Sequence, residues 1–299
     1  DRTITTLPWN YSYGLSIINT HLNKGASLVV TKKTLFDKEF WELYDKSKIT
    51  NFNGVPFTFE ILKKIKLERL FNSKIRFITQ AGGKMNSILS NEIVKLCIEN
   101  KILFYSMYGQ TEASPRMSYV EKTFKRTKSS CIGKPINGGK FYLVDEKNKK
   151  IKKPQTSGEL IYKGKNVFIG YSENYKDLKK SCSKNYTLKT GDLAKFDFEG
   201  NYYLVGRKSR FVKIFGIRIS LETIEEKLKL NNIDCVAITK DENLFIFIEE
   251  INKQKKMQQI ISKIIKITIN DFCLKYISSF PRNENNKISY KTLIKMATK

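Results

Sequence analysis

The chain has 299 residues, enough for one large core or for a large domain with a small one. Its 40% apolar and 12% aromatic content excludes a disordered polymer, and its longest apolar runs, such as residues 244–248 (LFIFI), fall far short of a membrane span. Lys and Arg total 55 against 29 Asp and Glu, a net charge of +26, yet the lysines are scattered along the whole chain, so no dedicated nucleic-acid surface is expected. No signal peptide or lipidation signal is readable. The single histidine, His21, argues against histidine-based zinc sites and paired-histidine chemistry. The five cysteines (Cys97, Cys131, Cys182, Cys235, Cys273) are far apart, odd in number and form no Cys-x-x-Cys, which reads as reduced thiols in a cytoplasmic protein.

Residues 27–30 (SLVV) read as a strand and 41–48 as a short helix. Residues 74–79 (KIRFIT) form the next expected strand, ending in Gln80-Ala81-Gly82-Gly83. Helical spacing of Ile93, Leu96 and Cys97 predicts a helix over 87–100, followed by a strand over 101–105. Strand, helix, strand implies a parallel α/β unit, whose ligands sit beyond the carboxyl ends of the strands. From Cys131 the pattern turns to hairpin-like strands at 141–144, 159–162 and 202–205, and then at 211–215. Ser220 is placed as the N-cap of a helix over 222–230. Residues 235–239 and 244–248 are expected to pair antiparallel, 257–268 to form an amphipathic helix, and 288–290 to be strand-like.

Three polar stretches carry possible chemistry. Tyr108-Gly109-Gln110-Thr111-Glu112-Ala113 offers a ring that can stack on a base, a hydroxyl for a phosphate and a carboxylate for magnesium. Thr190-Gly191-Asp192-Leu193, read as a turn before the 202–205 strand and Arg207, can grip ribose hydroxyls. Pro281 to Ile288 is a polar loop containing Lys287. Each alone is a common surface feature.

In order and at this spacing, these stretches resemble the adenylate-forming superfamily: acyl- and aryl-CoA synthetases, luciferase-like enzymes and peptide-synthetase adenylation domains. The resemblance extends to further segments. Residues 7–15 (LPWNYSYGL) resemble its acyl-pocket segment and Asn53-Gly54-Val55-Pro56-Phe57 its Val-Pro turn. Ala81-Gly82-Gly83-Lys84-Met85 resembles its adenine loop and Thr156-Ser157-Gly158-Glu159-Leu160 its Gly-Glu-Leu hairpin. Gly206-Arg207 through Lys213, Gly216 and Arg218 resembles its hinge stretch.

The resemblance implies a fold: the α/β remnant of a large AMP-binding domain with a distorted β-barrel part over 1–208, and a small mobile α+β lid over 209–299. It implies ATP-dependent activation of a small carboxylic acid as acyl-adenylate, with Mg²⁺, then transfer to the thiol of CoA or of an acyl carrier protein's phosphopantetheine. Tyr108 and Gly109, with Ala81, Gly82 and Gly83, would hold the adenine, Thr111 the α-phosphate, Glu112 the metal, and Asp192 and Arg207 the ribose. Asn10, Tyr11 and Val55 would line the substrate pocket. Lys287 would neutralise charge during adenylation, Lys213 would serve thioester formation, and Ser209 would be the hinge. Two positions depart from the family pattern. Ser209 stands where Asp or Lys is usual, and Asn10-Tyr11 stands where a His or bulky gate is common. The family's phosphate loop lies upstream of the acyl-pocket segment, so the chain, which begins at Asp1, is expected to lack it. Gly158 to Lys165 is a near miss to a Walker loop and is rejected as a decoy. The alternative reading is a truncated remnant that binds nucleotide weakly or acts as an interaction module.

Overall fold

The structure is a computed structural model that describes residues 1–65, 67–71, 74–122, 130–179, 186–214, 217–249, 254–284 and 287–297. It divides into two units, Asp1–Thr190 with Ala194–Leu204, and Gly191–Leu193 with Val205–Lys299.

In the first unit, strands β1 (Arg2–Ile4), β2 (Ser27–Val29), β3 (Asn51–Gly54), β4 (Phe77–Gln80) and β5 (Leu103–Tyr108) alternate with helices α1 (Ser12–Asn23), α2 (Lys38–Lys46), α3 (Pro56–Ile65) and α4 (Ser87–Glu99). The strands pair in parallel in the order β2-β1-β3-β4-β5. The order reverses between β1 and β3, and in open sheets of this kind ligands bind outside the carboxyl ends of the strands at such a reversal. The sheet then continues antiparallel through β6 (Ser118–Glu121), β7 (Cys131–Pro135), β8 (Lys140–Val144), β9 (Lys150–Ile151), β10 (Gly158–Lys163), β11 (Thr187–Phe196) and β12 (Tyr202–Arg207). All twelve strands run in the order β2-β1-β3-β4-β5-β6-β7-β12-β11-β10-β8-β9.

Two-residue alternation gives the parallel strands unlike faces. Ile4, Phe52, Ile78 and Phe104 point to one face, with Phe52, Ile78 and Phe104 in register, and join a core of Phe40, Trp41 and Tyr44 from α2, Phe59 and Leu62 from α3, and Ile93 and Val94 from α4. Edge-to-face rings run from Tyr44 through Phe52 and Phe59 to Phe104, with centroids 6.2–6.5 Å apart. The opposite face is buried but polar. Asn53 Nδ2 donates to Thr3 Oγ1 (2.9 Å), Thr79 Oγ1 donates to Asn53 Oδ1 (2.5 Å), and Tyr13 Oη from α1 lies 2.6 Å from Thr79 Oγ1. Asn51 Nδ2 meets His21 Nε2 at 3.1 Å, and His21 Nδ1 lies 2.8 Å from Ile17 O. The single histidine is thus a link between α1 and the sheet.

The second unit begins with the hairpin β13 (Phe211–Ile214) and β14 (Ile217–Ser220), followed by α5 (Leu221–Leu230). Strands β15 (Cys235–Lys240), β16 (Asn243–Ile248) and β17 (Phe272–Tyr276) form a sheet, β15–β16 antiparallel and β16–β17 parallel. Helices α6 (Gln254–Ile265) and α7 (Tyr290–Met296) complete it. The run 244–248 is apolar throughout because both faces are covered. Leu244, Ile246 and Ile248 pack with Ile224 and Leu228 of α5 and Ile261 and Ile265 of α6, while Phe245 and Phe247 pack with Leu293 of α7.

Three local expectations are corrected. Ser220 does occupy the N-cap of α5, but its hydroxyl makes no cap hydrogen bond and donates instead to Glu222 Oε2 at 2.8 Å. Residues 288–290 are not a strand: Ile288 forms a single bridge with Arg282, and Tyr290 opens α7. Asp192 is not in a turn but inside the ten-residue strand β11, where it is buried. Of the cysteines, Cys97 and Cys131 are buried and Cys235 and Cys273 partly so, all as free thiols; Cys182 lies outside the described residues.

Candidate active site

The carboxyl ends of β3, β4 and β5 bring together segments far apart in sequence. Val55 follows β3, Ala81-Gly82-Gly83 follows β4, and Gly109 to Ala113 follows β5. Tyr11, Tyr13 and Ile17 from the start of α1 form an apolar cluster with Val55 and Ala81, against which Leu7, Phe57 and Met107 also pack. Gly82 has φ +86°, and a side chain there would collide with the Tyr11 hydroxyl and stand 3.1 Å from Val55 Cγ1, so glycine is required on both counts. Gln80 Nε2 donates to Gly83 O (2.8 Å) and Ala81 N to Gly54 O (3.2 Å), which holds the loop on the ends of β3 and β4. Of the three candidate pocket residues, Tyr11 and Val55 are in the cluster, whereas Asn10 is exposed and outside it.

Tyr108 ends β5 with its ring edge-on to Phe141, centroids 6.2 Å apart. A Cβ on Gly109 would overlap the Pro115 carbonyl oxygen, so the chain can fold back here only without a side chain. Gln110 Nε2 donates to Thr190 O at 2.8 Å. Thr111 Oγ1 lies 2.9 Å from Ser12 Oγ at the start of α1, joining the loop after β5 to the candidate pocket segment. Glu112 is half-buried, its carboxylate accepting a hydrogen bond from the Tyr171 hydroxyl. The pairing raises the Tyr171 pKa, because losing the phenolic proton would place two anions together.

Sequence reading missed the residue that braces this loop. Asn166 Nδ2 donates to Ala113 O (2.6 Å) and Arg116 O (2.9 Å), and its Oδ1 accepts from Tyr162 Oη (2.8 Å). Asn166 follows the rejected near-Walker stretch. The Asn standing where a Walker loop has Ser or Thr was the available signal at this position.

In the second unit Arg207 Nε donates to Asp192 Oδ1 at 3.0 Å. Ser209 is exposed in the turn after β12, closed by Arg210 N donating to Arg207 O (3.0 Å). The next residue is the unit's main anchor: Arg210 Nη1 meets Glu222 Oε1 at 2.9 Å, Nη2 meets Glu225 Oε1 at 2.7 Å, and the guanidinium lies over the Tyr290 ring at 4.4 Å. Burial raises the Glu225 pKa, with Arg210 opposing it. Lys213 has its backbone in β13 opposite Arg218; its side chain and Gly216 lie outside what is described. Lys287 is exposed at a tip closed reciprocally, Lys287 N to Asn283 Oδ1 (3.0 Å) and Asn283 N to Lys287 O (2.8 Å).

Among the described residues no cluster of three or more His, Cys, Asp or Glu side chains could hold a metal. A lone half-buried carboxylate beside a hydroxyl suits Mg²⁺, which keeps several waters and binds through one or two carboxylates plus substrate phosphates. Among the same residues no helix is long and apolar enough to cross a membrane.

A doubly wound sheet that carries a glycine loop and a Tyr-Gly-x-Thr-Glu turn at the carboxyl ends of its strands defines the class: an open-sheet α/β protein. The family model described as AMP-binding enzyme matches residues 1–172, and the chain belongs to that family. It is 31% identical over 289 residues to bacitracin synthase 2 of Bacillus licheniformis, covering 89% of this chain and 11% of the synthase. It is 29% identical over 234 residues to a 2-succinylbenzoate–CoA ligase of Bacillus cereus, covering 76% of this chain and 46% of the ligase. The chain therefore spans less than half the length of these relatives. In fold it resembles o-succinylbenzoate CoA synthetase from Bacillus subtilis in complex with an acyl-adenylate (TM-score 0.76, 21% identity, 98% of this chain and 60% of that one). It also resembles an amide bond synthetase from Marinactinospora thermotolerans (TM-score 0.79, 13% identity, 100% and 62%).

Proposed function

We propose that this protein activates a carboxylic acid with ATP, forming acyl-adenylate and pyrophosphate, and passes the acyl group to a thiol on CoA or on a carrier protein's phosphopantetheine. What supports this reading is the convergence in one unit of four segments distant in sequence: Tyr11 against Gly82, Gly82 against Val55, and Ser12 against Thr111. In this reading the cluster around Tyr11 and Val55 takes the acid and the neighbouring Thr111 hydroxyl faces the phosphate. Relatives named as a 2-succinylbenzoate–CoA ligase and a bacitracin synthase point the same way.

The chemical obstacle is the mutual repulsion of a carboxylate and a triphosphate. In this proposal Lys287 supplies the cation that offsets it, and the neighbourhood of Thr111 orients the α-phosphate. Glu112 would hold Mg²⁺, which when bound neutralises phosphate charge. Tyr108 would stack on adenine beside the Ala81–Gly83 backbone, and Asp192 with Arg207 would hold the ribose. The division at 208/209, with Ser209 as pivot of a mobile lid after a distorted barrel, belongs to the same proposal, as does Lys213 in thioester formation.

The test is product analysis with ATP, Mg²⁺ and a panel of acids, with hydroxylamine as trap. AMP, pyrophosphate and hydroxamate forming only when acid is present support the reading. ADP formation, or turnover indifferent to acid, contradicts it. AMP binding without turnover favours the impaired-remnant alternative.

A further inference from the structure

Arg116 lies between the Tyr108–Ala113 loop and β6, and its backbone is held at two points. Its carbonyl accepts from Asn166 Nδ2 (2.9 Å), and the next residue, Met117, donates its N–H to Tyr108 O (3.0 Å). The side chain runs against α1, where Nη2 donates to Thr20 Oγ1 over a long 3.4 Å. Its Nε is buried with no hydrogen-bond partner, and no carboxylate pairs with it among the described residues. Burial pushes the guanidinium's pKa down, and nearby Tyr13 opposes this. A guanidinium does not lose its proton in a protein, so a half-buried one with a buried, unpartnered Nε and no anion is a poor arrangement unless an anion arrives.

The surroundings indicate which anion. Tyr13, Ile17 and Thr20 share one face of α1 by helical spacing, and Tyr13 and Ile17 belong to the apolar cluster with Tyr11, Val55 and Ala81. Arg116 thus borders the candidate acid pocket. Tyr13 cannot serve as the anion's donor. Asn53 Nδ2 donates to Thr3, so Asn53 Oδ1 accepts from Thr79 and Thr79 accepts from Tyr13, which uses the phenolic proton. The planar fork of Arg116 is left, and it matches a carboxylate bidentately. We infer that the acid activated here carries a second carboxylate, and that Arg116 pairs with it through its buried, unpartnered edge. This rests on the acid-activating function proposed above.

The experiment measures ATP–pyrophosphate exchange by the full-length protein with aliphatic and aromatic dicarboxylic acids and the monomethyl ester of each. The parent should prefer the best diacid over its ester by about ten- to a hundredfold in kcat/KM, Arg116→Met should lose most of that preference, and Arg116→Lys should keep part. AMP affinity should be unchanged in Arg116→Met, and the unliganded variant should melt at or above the parent because a half-buried cation with an unpartnered Nε has gone. Equal or better use of the esters by the parent overturns the inference, as does discrimination that survives Arg116→Met. A lowered melting point with discrimination intact assigns Arg116 a structural role only and also overturns it. Melting in the presence of each diacid separates the two levels. If no acid supports exchange, the acid-activation reading fails; stabilisation by a diacid in the parent but not in Arg116→Met still supports the dianion site, and no stabilisation in the parent overturns it.

Discussion

Arg207 Nε donates to Asp192 Oδ1 at 3.0 Å, tying the last residue of β12 to the middle of β11. The partners differ in exposure, with the Asp192 side chain 6% exposed and that of Arg207 59%. A carboxylate that is buried and oriented by an arginine is a fixed acceptor, whereas one in a turn would be mobile. The strand placement fixes the Asp192 carboxylate more firmly than the turn expected from sequence would.

If the pair holds ribose, Asp192→Ala and Arg207→Ala should each weaken AMP binding by about tenfold or more. Calorimetric titration with AMP and with its 2′,3′-dideoxy analogue checks this. The analogue should bind the parent poorly and lose nothing further in Asp192→Ala. In the double variant the losses should fall short of the sum by more than about 0.5 kcal/mol, since the groups touch. Full additivity would separate them.

The loop after β5 should be sensitive to its supports. Asn166→Ala removes hydrogen bonds to Ala113 O and Arg116 O and one from Tyr162, and should cost about 1–3 kcal/mol in urea unfolding. Gly109→Ala sets a Cβ against the Pro115 backbone and should lower acid-dependent turnover further than it lowers stability. Parent-like turnover in Gly109→Ala would show that this loop conformation is not needed.

Lys122 gives a pH signature. It is buried, with Nζ donating to Cys131 O at 3.3 Å, and burial pushes its pKa down to about 8 from 10.5. Between those values the unfolded chain binds more protons than the folded one, so stability attributable to this lysine rises with pH. The parent should gain on Lys122→Met by on the order of 3 kcal/mol between pH 7 and pH 10.5. Denaturant unfolding at both pH values measures it; a parallel pH course in the two proteins would show that Lys122 is not strained by burial.

The strand–helix–strand of β4, α4 and β5 was legible because its apolar residues recur at regular spacing and its core residues Ile78, Ile93 and Phe104 are fully buried. Strand β3 was not. Asn51-Phe52-Asn53-Gly54 has a single β-former, Phe52, and its two asparagines are buried only because Thr3, Thr79 and His21 satisfy them, which no local pattern reveals. Tyr290 reads as strand by type, but its ring caps Arg210 at the start of α7. The motif residues were legible as local strings. Asn166 and Arg116 were not, since their contacts depend on the loop geometry at Gly109 and Pro115. Arg210 sits beside the noticed Ser209, but its partners Glu222, Glu225 and Tyr290 come from two helices.

Lys213 and Lys287 both belong to the second unit, Lys213 in β13 and Lys287 in the stretch before α7. Lys213→Ala should leave adenylation intact and slow thioester formation. Separate assays of the two half-reactions, the second started from supplied acyl-adenylate, decide the matter. Loss of adenylation with transfer retained would reverse the assignment.

Acid-dependent ATP–pyrophosphate exchange by the full-length protein and by Lys287→Ala tests the adenylation chemistry most directly. Lys287 stands exposed on its reciprocally closed tip, so its replacement should leave the fold unchanged. Loss of a transition-state charge contact should cost about 3–4 kcal/mol, a few hundredfold or more in rate. Near-abolished exchange by Lys287→Ala, with AMP binding preserved, is the expected result; exchange at the parent's rate would contradict it.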